Sequence, residues 1–262
     1  MRAGAALTTT RPLPSFALFL TIALGFILAG RNWGGALIAA LPMLPISLAS
    51  FCINDIFDQE TDRINHPDRA LASYPALSNT ALTLYVILFL ISIGSIYLQD
   101  RPTDRFVWAI DFILLSNYSV FKRIFPLLKN VYIASSACIV FSILDISNEN
   151  SLHVVFRYGP LFISTLAREI ALDIPDARGD KGTLALKLNT RRSLLLTIAL
   201  YLVALCTAFY LSITSVHLFA SIAGFILFFC YALARLMLGW QENTLRPVSA
   251  GVATVPAVLI AI

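Results

Sequence analysis

The chain has 262 residues, of which 58% are hydrophobic and only 13% are charged. This composition excludes an ordinary soluble protein and predicts an all-α protein that crosses a membrane several times. The net charge of +4 requires no nucleic-acid partner, because basic loops on one side of a membrane account for it. Since a spanning helix needs roughly 20 apolar residues, we predict nine spans, near residues 13–30, 35–57, 78–98, 105–124, 126–146, 152–174, 191–213, 215–238 and 245–262.

The basic residues predict the orientation of these spans. If the N-terminus is inside, 14 of the 19 Lys and Arg residues lie in inner loops or flanks, four lie outside, and Arg168 lies within the sixth span. Cytoplasmic loops carry such an excess of Lys and Arg. We therefore expect a multi-pass membrane protein with a cytoplasmic N-terminus.

The second span ends in an acidic motif. Its sequence is Asn54-Asp55-Ile56-Phe57-Asp58-Gln59-Glu60-Thr61-Asp62, with carboxylates at i, i+3 and i+7. On a helix these positions share one face. The amide of Asn54 adds a neutral oxygen ligand, and Arg63 and Arg69 follow as candidates to neutralise phosphate charge.

The fourth span combines three polar residues at helical spacing. Tyr118 and Lys122 are separated by four residues, so a phenol and an ammonium can meet one ligand. Interfacial tyrosines and extended lysines are also common at helix ends without any such role. Asp111 lies seven residues before Tyr118, inside the span, and is a candidate to orient an acceptor or take up a proton. The alternative is a structural Asp111, either protonated and hydrogen-bonded to a neighbouring helix or lying nearer the outer surface.

The sixth span ends in a second acidic motif. Asp173, Asp176 and Asp180 repeat the first spacing, and both motifs contain D-I-x-D-x-x-x-D. Arg178 and Lys181 lie beside them as candidate phosphate ligands. Arg168 and Glu169 precede the motif, where a local ion pair is as reasonable as a role in the site.

The repeated carboxylates predict a cation site. Carboxylates are costly within a bilayer, so six of them at one interface require concentrated positive charge. Mg²⁺ prefers oxygen ligands and often completes its shell with substrate phosphates. We therefore predict magnesium-dependent chemistry on a phosphorylated lipid, with six candidate metal ligands: Asp55, Asp58, Asp62, Asp173, Asp176 and Asp180.

The two motifs also indicate an internal repeat. Four spans separate them, so both acidic segments have the same orientation. We expect a single domain over residues 1–262, with two parallel four-helix halves near 13–124 and 126–238 and one further helix. The polar stretches 63–77 and 177–190 follow the motifs and are predicted to cap a cavity between them.

Three segments together resemble the UbiA superfamily of intramembrane prenyltransferases. They are N-D-x-x-D-x-x-x-D at 54–62, Y-x-x-x-K at 118–122 and the aspartate motif at 173–180. The tail D-R-x-N-x-P-x-R at 62–69 and Leu128-Lys129-Asn130 are similar to the family as well. The resemblance implies nine helices around a central cavity, where two Mg²⁺ ions hold an isoprenyl diphosphate between the motifs.

The chain departs from the family pattern at several positions. Arg11-Pro12-Leu13-Pro14 lacks an asparagine, Ala70 follows Arg69 where the family has proline, Tyr74 replaces a glycine, and the loop after Asp180 is shortened. These departures concern the acceptor and the loops and leave the six aspartates intact.

The resemblance implies a prenyltransferase in which the metals and Lys122 stabilise the leaving diphosphate. We expect a small hydrophobic or aromatic acceptor, with membrane lipid around the protein. The alternative is a terpene cyclase of the same family, which captures the cation with the substrate's own double bonds. A cation or phosphate transporter is a third class, disfavoured because the acids cluster at one interface. Lys122→Ala is expected to lose more rate than Lys129→Ala, its control in the same loop.

Overall fold

A computed structural model describes residues 7–144, 151–180 and 182–212. These residues form α-helices and one short 3-10 turn, with no β-strand among them. The helices are α1 (Pro12–Leu28), α2 (Trp33–Ala40), α3 (Met43–Phe57), α4 (Gln59–Asn65), α5 (Ala70–Ser73), α6 (Ser78–Tyr97), α7 (Pro102–Ile124), α8 (Lys129–Ser142), α9 (Ser151–Asp176) and α10 (Leu184–Ser212).

Two helices, α2 and α3, form what the sequence predicts as one span at 35–57. The break falls at Leu41 and Pro42, where Pro42 precedes the first residue of α3. Proline has no N–H, and its ring interferes with the preceding turn, so one regular helix cannot continue here. The Ile46 N–H donates to the Pro42 carbonyl at 3.1 Å, and this hydrogen bond forms the first turn of α3.

The first acidic motif is divided between α3 and α4 at Asp58. This residue has φ −91° and ψ 4°, outside helical geometry. The i to i−4 bonds nevertheless continue across it, because the Asp58 N–H donates to Asn54 O at 2.9 Å and the Asp62 N–H to Asp58 O at 2.7 Å. The motif is therefore a helix with one distorted residue, and its carboxylates keep nearly the predicted spacing.

The core lies between α1, α2, α7, α8 and α9. Trp108 is fully buried, and its indole N–H donates to Ala39 O at 3.1 Å. Phe26, Phe141 and Tyr158 pack in the same cluster. The Tyr158 hydroxyl donates to Phe141 O at 2.9 Å, so the polar tip of this buried aromatic is satisfied.

Apolar exposure marks the surface that faces lipid. Three segments are long and apolar enough to cross a membrane: Trp33–Phe57, Pro75–Tyr97 and Leu184–Ala208. On α6, side chains such as Leu90 and Ile91 are more than half exposed. An exposed apolar belt of this kind indicates an integral membrane protein. The eighth and ninth predicted spans, near 215–238 and 245–262, lie outside the described residues.

The last described helix, α10, contains a kink. Asn189 has φ 64° and ψ 164°, and its Oδ1 accepts a hydrogen bond from the Arg192 N–H at 3.1 Å. The side chain of Asn189 thus caps the longer part of α10. This part packs against α9, the helix that carries the second acidic motif.

Candidate active site

Both acidic motifs lie at the same end of the helix bundle. The first is carried by α3 and α4, and the second by the end of α9 and the turn after it. Direct contacts between the end of α4 and the segment 176–179 join them. The six predicted metal ligands therefore gather in one region, as the sequence predicts.

Asp55 is paired with an arginine from the start of the chain. Its Oδ1 accepts a hydrogen bond from Arg11 Nη2 at 2.6 Å, and Arg69 Nη1 lies 3.8 Å away. Arg11 also lies over the ring of Phe51, 5.0 Å from the ring centroid. Asp55 is only 4% exposed, so these guanidinium groups provide the charge that its burial requires.

Asn54, Asp58 and Lys122 form a hydrogen-bonded triad. Lys122 Nζ donates to Asn54 Oδ1 at 3.0 Å and also to Asp58 Oδ2. Asn54 Nδ2 donates to the same Asp58 oxygen at 2.8 Å. The Tyr118 ring centroid lies 5.6 Å from Lys122 Nζ, which is a cation–π distance. The structure thus places Tyr118 and Lys122 beside the first motif, and their contact with one ligand stays a prediction.

Asp62 and Arg69 form a close ion pair outside the apolar spans. Arg69 Nη1 lies 2.6 Å from Asp62 Oδ1 and 2.7 Å from Oδ2. Burial raises the pKa of the Asp62 carboxyl, although Arg69 beside it acts in the opposite direction. Burial disfavours charge on Arg69 too, but Asp62 outweighs it and the pKa of the guanidinium is raised. Arg69 therefore stays charged beside two carboxylates of the first motif.

Lys129 bridges two carboxylates of the second motif. Its Nζ lies 2.8 Å from Asp173 Oδ1 and 3.1 Å from Asp180 Oδ2. Asn130 Nδ2 donates to Asp173 Oδ2 at 2.9 Å. Each lysine therefore contacts one motif, so Lys129 is not a matched control for Lys122, and the expected difference in rate stays a prediction.

Asp176 is held by the segment that follows the first motif. His66 Nε2 lies 3.0 Å from Asp176 Oδ1, and His66 is buried. Asn65 Nδ2 donates to the backbone carbonyl of Asp176 at 2.8 Å. The two motifs are thus linked through residues 65 and 66.

The remaining predicted residues differ in their placement. Arg63 and Arg178 are exposed, and Lys181 lies outside the described residues. Arg168 forms an ion pair with Glu169, the local arrangement considered from the sequence. Their roles in substrate binding remain predictions.

Asp111 is fully buried between α7 and α8. The Ser136 hydroxyl donates to Asp111 Oδ1 at 2.5 Å. Asp111 Oδ2 has no hydrogen-bond partner among the described residues. The Ser136 contact fits the structural alternative, whereas the unpartnered oxygen fits the predicted role toward an acceptor.

Sequence reasoning missed several residues of the site. Arg11, His66 and Asn130 pair with motif aspartates that are more than 40 residues away in two cases and 110 in the third. No local spacing signals such a pairing. For Lys129 and Asn130 a signal existed, because the Leu128-Lys129-Asn130 element was noticed but given no role.

The donor chemistry of the site suits a hard cation, but the side chains do not converge on one. No group of three or more His, Cys, Asp or Glu residues in the described ranges is arranged to hold a metal. Each motif carboxylate instead contacts a Lys, Arg or His side chain. Carboxylate and amide oxygens are the ligands that Mg²⁺ prefers, so the donor set fits this ion. The six ligands remain a prediction.

These observations define an all-helical integral membrane protein with a charged site at one end of its bundle. The model of the UbiA prenyltransferase family matches residues 8–250, and the chain belongs to this family. The resemblance inferred from the three motifs is thereby confirmed, as is the enzyme class, a prenyltransferase. No comparison requires the terpene cyclase alternative.

Named relatives agree with this assignment, and a solved structure has a similar fold. The chain is 28% identical to a digeranylgeranylglyceryl phosphate synthase of Methanoregula boonei, over 79% of this chain and 74% of the relative. It is 27% identical to the enzyme of that name from Methanopyrus kandleri, over 66% of this chain and 64% of the relative. The fold is similar to that of a UbiA homolog from Archaeoglobus fulgidus bound to GPP and Mg²⁺. The TM-score is 0.73 at 16% identity, covering 98% of this chain and 96% of that chain.

Proposed function

We propose that this chain is a Mg²⁺-dependent prenyltransferase that ionises an isoprenyl diphosphate between its two aspartate motifs and transfers the prenyl group to an acceptor. The observation that carries the proposal is the convergence of six motif carboxylates with four cationic side chains at one end of the bundle. These cations are Arg11, Arg69, Lys122 and Lys129. A diphosphate is a dense, flexible anion that such a mixture of metal ligands and cations can bind.

The metal role rests on the aspartates. We propose that two Mg²⁺ ions bind, one at each motif. Their ligands would be Asp55, Asp58, Asp62, Asp173, Asp176 and Asp180. When bound, Mg²⁺ supplies charge neutralisation for the diphosphate and makes it a better leaving group. Magnesium together with GPP in the A. fulgidus homolog supports this assignment.

The lysines and arginines of the chain would bind the diphosphate oxygens. Lys122 Nζ, which contacts Asn54 and Asp58, lies where one ammonium can contact both the first motif and a phosphate. Lys129 has the same position relative to the second motif. As the allylic C–O bond breaks, negative charge accumulates on the leaving oxygens, and fixed cations stabilise that charge more than they stabilise the intact substrate. Arg63, Arg69, Arg178 and Lys181 are proposed to add to this effect.

The cation left by ionisation needs protection from water. Aromatic side chains beside the charged end include Phe121 and Tyr132, whose ring centroids lie 4.2 Å apart. Tyr118 packs against Tyr132 and presents its ring to Lys122 Nζ. A π-face stabilises a nearby positive charge without donating a nucleophile.

The acceptor is proposed in two forms. The sequence led us to expect a small aromatic or hydrophobic acceptor. The relatives named digeranylgeranylglyceryl phosphate synthase favour a second candidate, a glyceryl phosphate that carries a lipid chain. The exposed arginines Arg63 and Arg178, which lie beside the two motifs, are available to bind an acceptor phosphate.

The test measures diphosphate release and prenylated product by the purified protein in detergent, with isoprenyl diphosphates of several lengths and each acceptor class. We expect turnover that requires Mg²⁺ and one acceptor class. Asp58→Ala and Asp176→Ala should each abolish diphosphate release, since each removes a predicted metal ligand. The matched control is Asp68→Ala, because Asp68 is exposed in the loop after the first motif. Full activity in excess chelator would contradict the proposal. Cyclic products formed without an acceptor would show that the protein is a cyclase and not a transferase.

The topology is part of the same proposal. We infer nine helices in two parallel halves, with the acidic end at the cytoplasmic surface. The excess of basic residues in the predicted inner loops supports this orientation. In the described residues, α1, α3, α6 and α7 run alternately toward and away from the acidic end, as successive membrane crossings require.

A further inference from the structure

Asn65 makes two hydrogen bonds that join the two motifs. It is the last residue of α4, three residues after Asp62. Its Nδ2 donates to the Asp176 backbone carbonyl at 2.8 Å, and its Oδ1 accepts from the Gly179 N–H at 2.9 Å. The partners lie 111 and 114 residues further along the chain. One side chain thus binds the last turn of α9 and the loop after it.

Because Gly179 has no side chain, the side chain of Asn65 can pack directly against it. A Cβ at Gly179 would lie 2.7 Å from both terminal atoms of the Asn65 side chain and 2.8 Å from its Cγ. These separations are too short for non-bonded atoms. The φ of Gly179 is not positive, so the turn itself does not require glycine here. Close approach to Asn65 is therefore the structural reason for a glycine at this position.

A second contact follows from the next residue. His66 Nε2 lies 3.0 Å from Asp176 Oδ1, and the His66 N–H donates to Asp62 O at 2.7 Å. Residues 65 and 66 thus contact both the backbone and the side chain of Asp176, a predicted metal ligand. On the other side they are fixed to Asp62, another predicted ligand.

The chemistry of the amide explains why asparagine fits. One partner is a carbonyl and the other an N–H, so the side chain between them must donate and accept at once. An aspartate at position 65 would place a further negative charge among six carboxylates and offer no donor to the Asp176 carbonyl. A neutral amide links the motifs without adding to their repulsion.

We propose that Asn65 is a positioning residue that sets the separation of the two aspartate motifs, and that Gly179 provides the space in which the Asn65 side chain docks. This inference rests on the proposed function, in which both motifs hold one diphosphate. Asn65 touches neither metal nor substrate in this role. It fixes Asp176, and through the turn Asp180, relative to Asp62, so that a diphosphate meets both motifs at once.

The test is a double-mutant cycle of Asn65→Ala and Gly179→Ala in the full chain. Asn65→Ala removes two hydrogen bonds, and Gly179→Ala displaces the Asn65 side chain and breaks the same two. We expect each single variant to raise the KM for isoprenyl diphosphate roughly 10-fold, as the loss of two hydrogen bonds suggests, with a smaller effect on kcat. The double variant should be no worse than either single one, since the small residue at 65 leaves room for the new methyl group. Asn79→Ala, an exposed asparagine at the start of α6, is the control.

A second measurement does not depend on activity. Arg178 is exposed in the loop that Asn65 holds, so trypsin cleavage after Arg178 reports how firmly the loop is docked. We expect faster cleavage in both single variants and not in Asn79→Ala. The proposal would be overturned if the effects of the two substitutions on KM were additive in the double variant. It would also be overturned if the variants gave less folded protein but an unchanged KM. If the wild type shows no Mg²⁺-dependent diphosphate release, the proposed function fails, while cleavage still tests the contact itself.

Discussion

At the motif aspartates, each carboxylate contacts a basic side chain. Asp55 contacts Arg11, Asp58 contacts Lys122, and Asp62 contacts Arg69. In the second motif, Lys129 serves Asp173 and Asp180, and His66 serves Asp176. Removing one partner of a buried pair leaves an uncompensated charge, which is costly. The pairs thus keep the charged end stable. In the proposed reaction, metal would hold the carboxylates, and the same basic side chains would then be available to bind a diphosphate.

The first prediction concerns Lys122. Lys122→Ala should lower kcat by roughly 100-fold, the scale seen when one fixed donor to a developing negative charge is removed. Lys187→Ala is the control, because Lys187 is exposed and follows the second motif. The measurement is steady-state diphosphate release at saturating Mg²⁺. Equal, small effects of the two substitutions would mean that Lys122 only extends toward the interface.

The second prediction concerns Asp111. Asp111→Asn keeps an oxygen for the Ser136 hydroxyl but removes the carboxylate that could take up a proton. We expect diphosphate release to persist while the yield of prenylated product per diphosphate released falls at least several-fold. Both products are quantified in the same reaction. Ser136→Ala, which removes the hydrogen-bond donor and keeps the carboxylate, is the comparison. If Asp111→Asn gives the wild-type product at the wild-type rate, Asp111 is structural.

The sequence pointed to every motif aspartate at this scale, but to only some of the basic partners, such as Lys122 and Arg69. Aspartates at i, i+3 and i+7 and the Tyr118–Lys122 spacing are local patterns, and local patterns survive folding when the helix persists. Arg11 and His66 come from segments that only the tertiary arrangement brings close to their aspartates. Their pairing depends on how α1 and α4 pack, which periodicity does not encode.

At the scale of elements, irregular positions shape the site more than regular helices do. Asp58 interrupts the first motif without breaking its hydrogen-bond ladder. In α9, Pro160 and Pro175 lie within the helix, and the second of them precedes Asp176. Asp176 is the last residue of this helix, so no further helical turn uses its carbonyl. This carbonyl accepts hydrogen bonds from the Asp180 N–H at 3.1 Å and from Asn65 Nδ2 at 2.8 Å.

The third prediction concerns the kink of α10. Asn189 has a positive φ that β-branched residues tolerate poorly, and its side chain caps the following helix. Asn189→Val should cost about 1–3 kcal/mol of stability, seen as a fall of several degrees in the thermal midpoint in detergent. Thr190→Val is the control, since Thr190 is exposed and helical. A midpoint equal to that of the control would show that the kink relaxes without cost.

At the scale of the whole molecule, the two ends of the bundle differ in chemistry. The acidic end holds both motifs. The opposite end holds the Arg31–Asp104 ion pair at 2.9 Å and a cavity of about 370 Å³ lined by residues that include Arg31, Gln99 and Asp104. None of the six motif aspartates lines this cavity. A large cavity is therefore a poor guide to the reacting centre here, and the clustered charges are the better one.

Hydropathy predicted where the long apolar helices lie, but not where they break or how the loops dock. The spans predicted at 78–98 and 152–174 agree closely with Ser78–Tyr97 and Ser151–Asp176, because a long apolar run leaves few alternatives in lipid. Hydropathy did not predict the division of 35–57 into two helices at Pro42, because the effect of proline comes from its missing backbone N–H and not from its polarity. The docking of residues 65 and 66 on the second motif depends on packing between distant loops and has no signal in hydropathy.

The fourth prediction concerns orientation in the membrane. Asp68 lies in the loop after the first motif, and Arg101 lies in the turn before α7, at the other end of the bundle. In a variant without native cysteines, Asp68→Cys and Arg101→Cys should react with a membrane-impermeant maleimide from opposite sides. Because Lys and Arg concentrate in cytoplasmic loops, the cysteine at 68 should be labelled only after the cytoplasmic face is opened, and the cysteine at 101 in intact cells. Labelling in the reverse order would place the acidic end outside. Labelling of both in intact cells would contradict the crossing of the membrane by α6, the helix between the two positions.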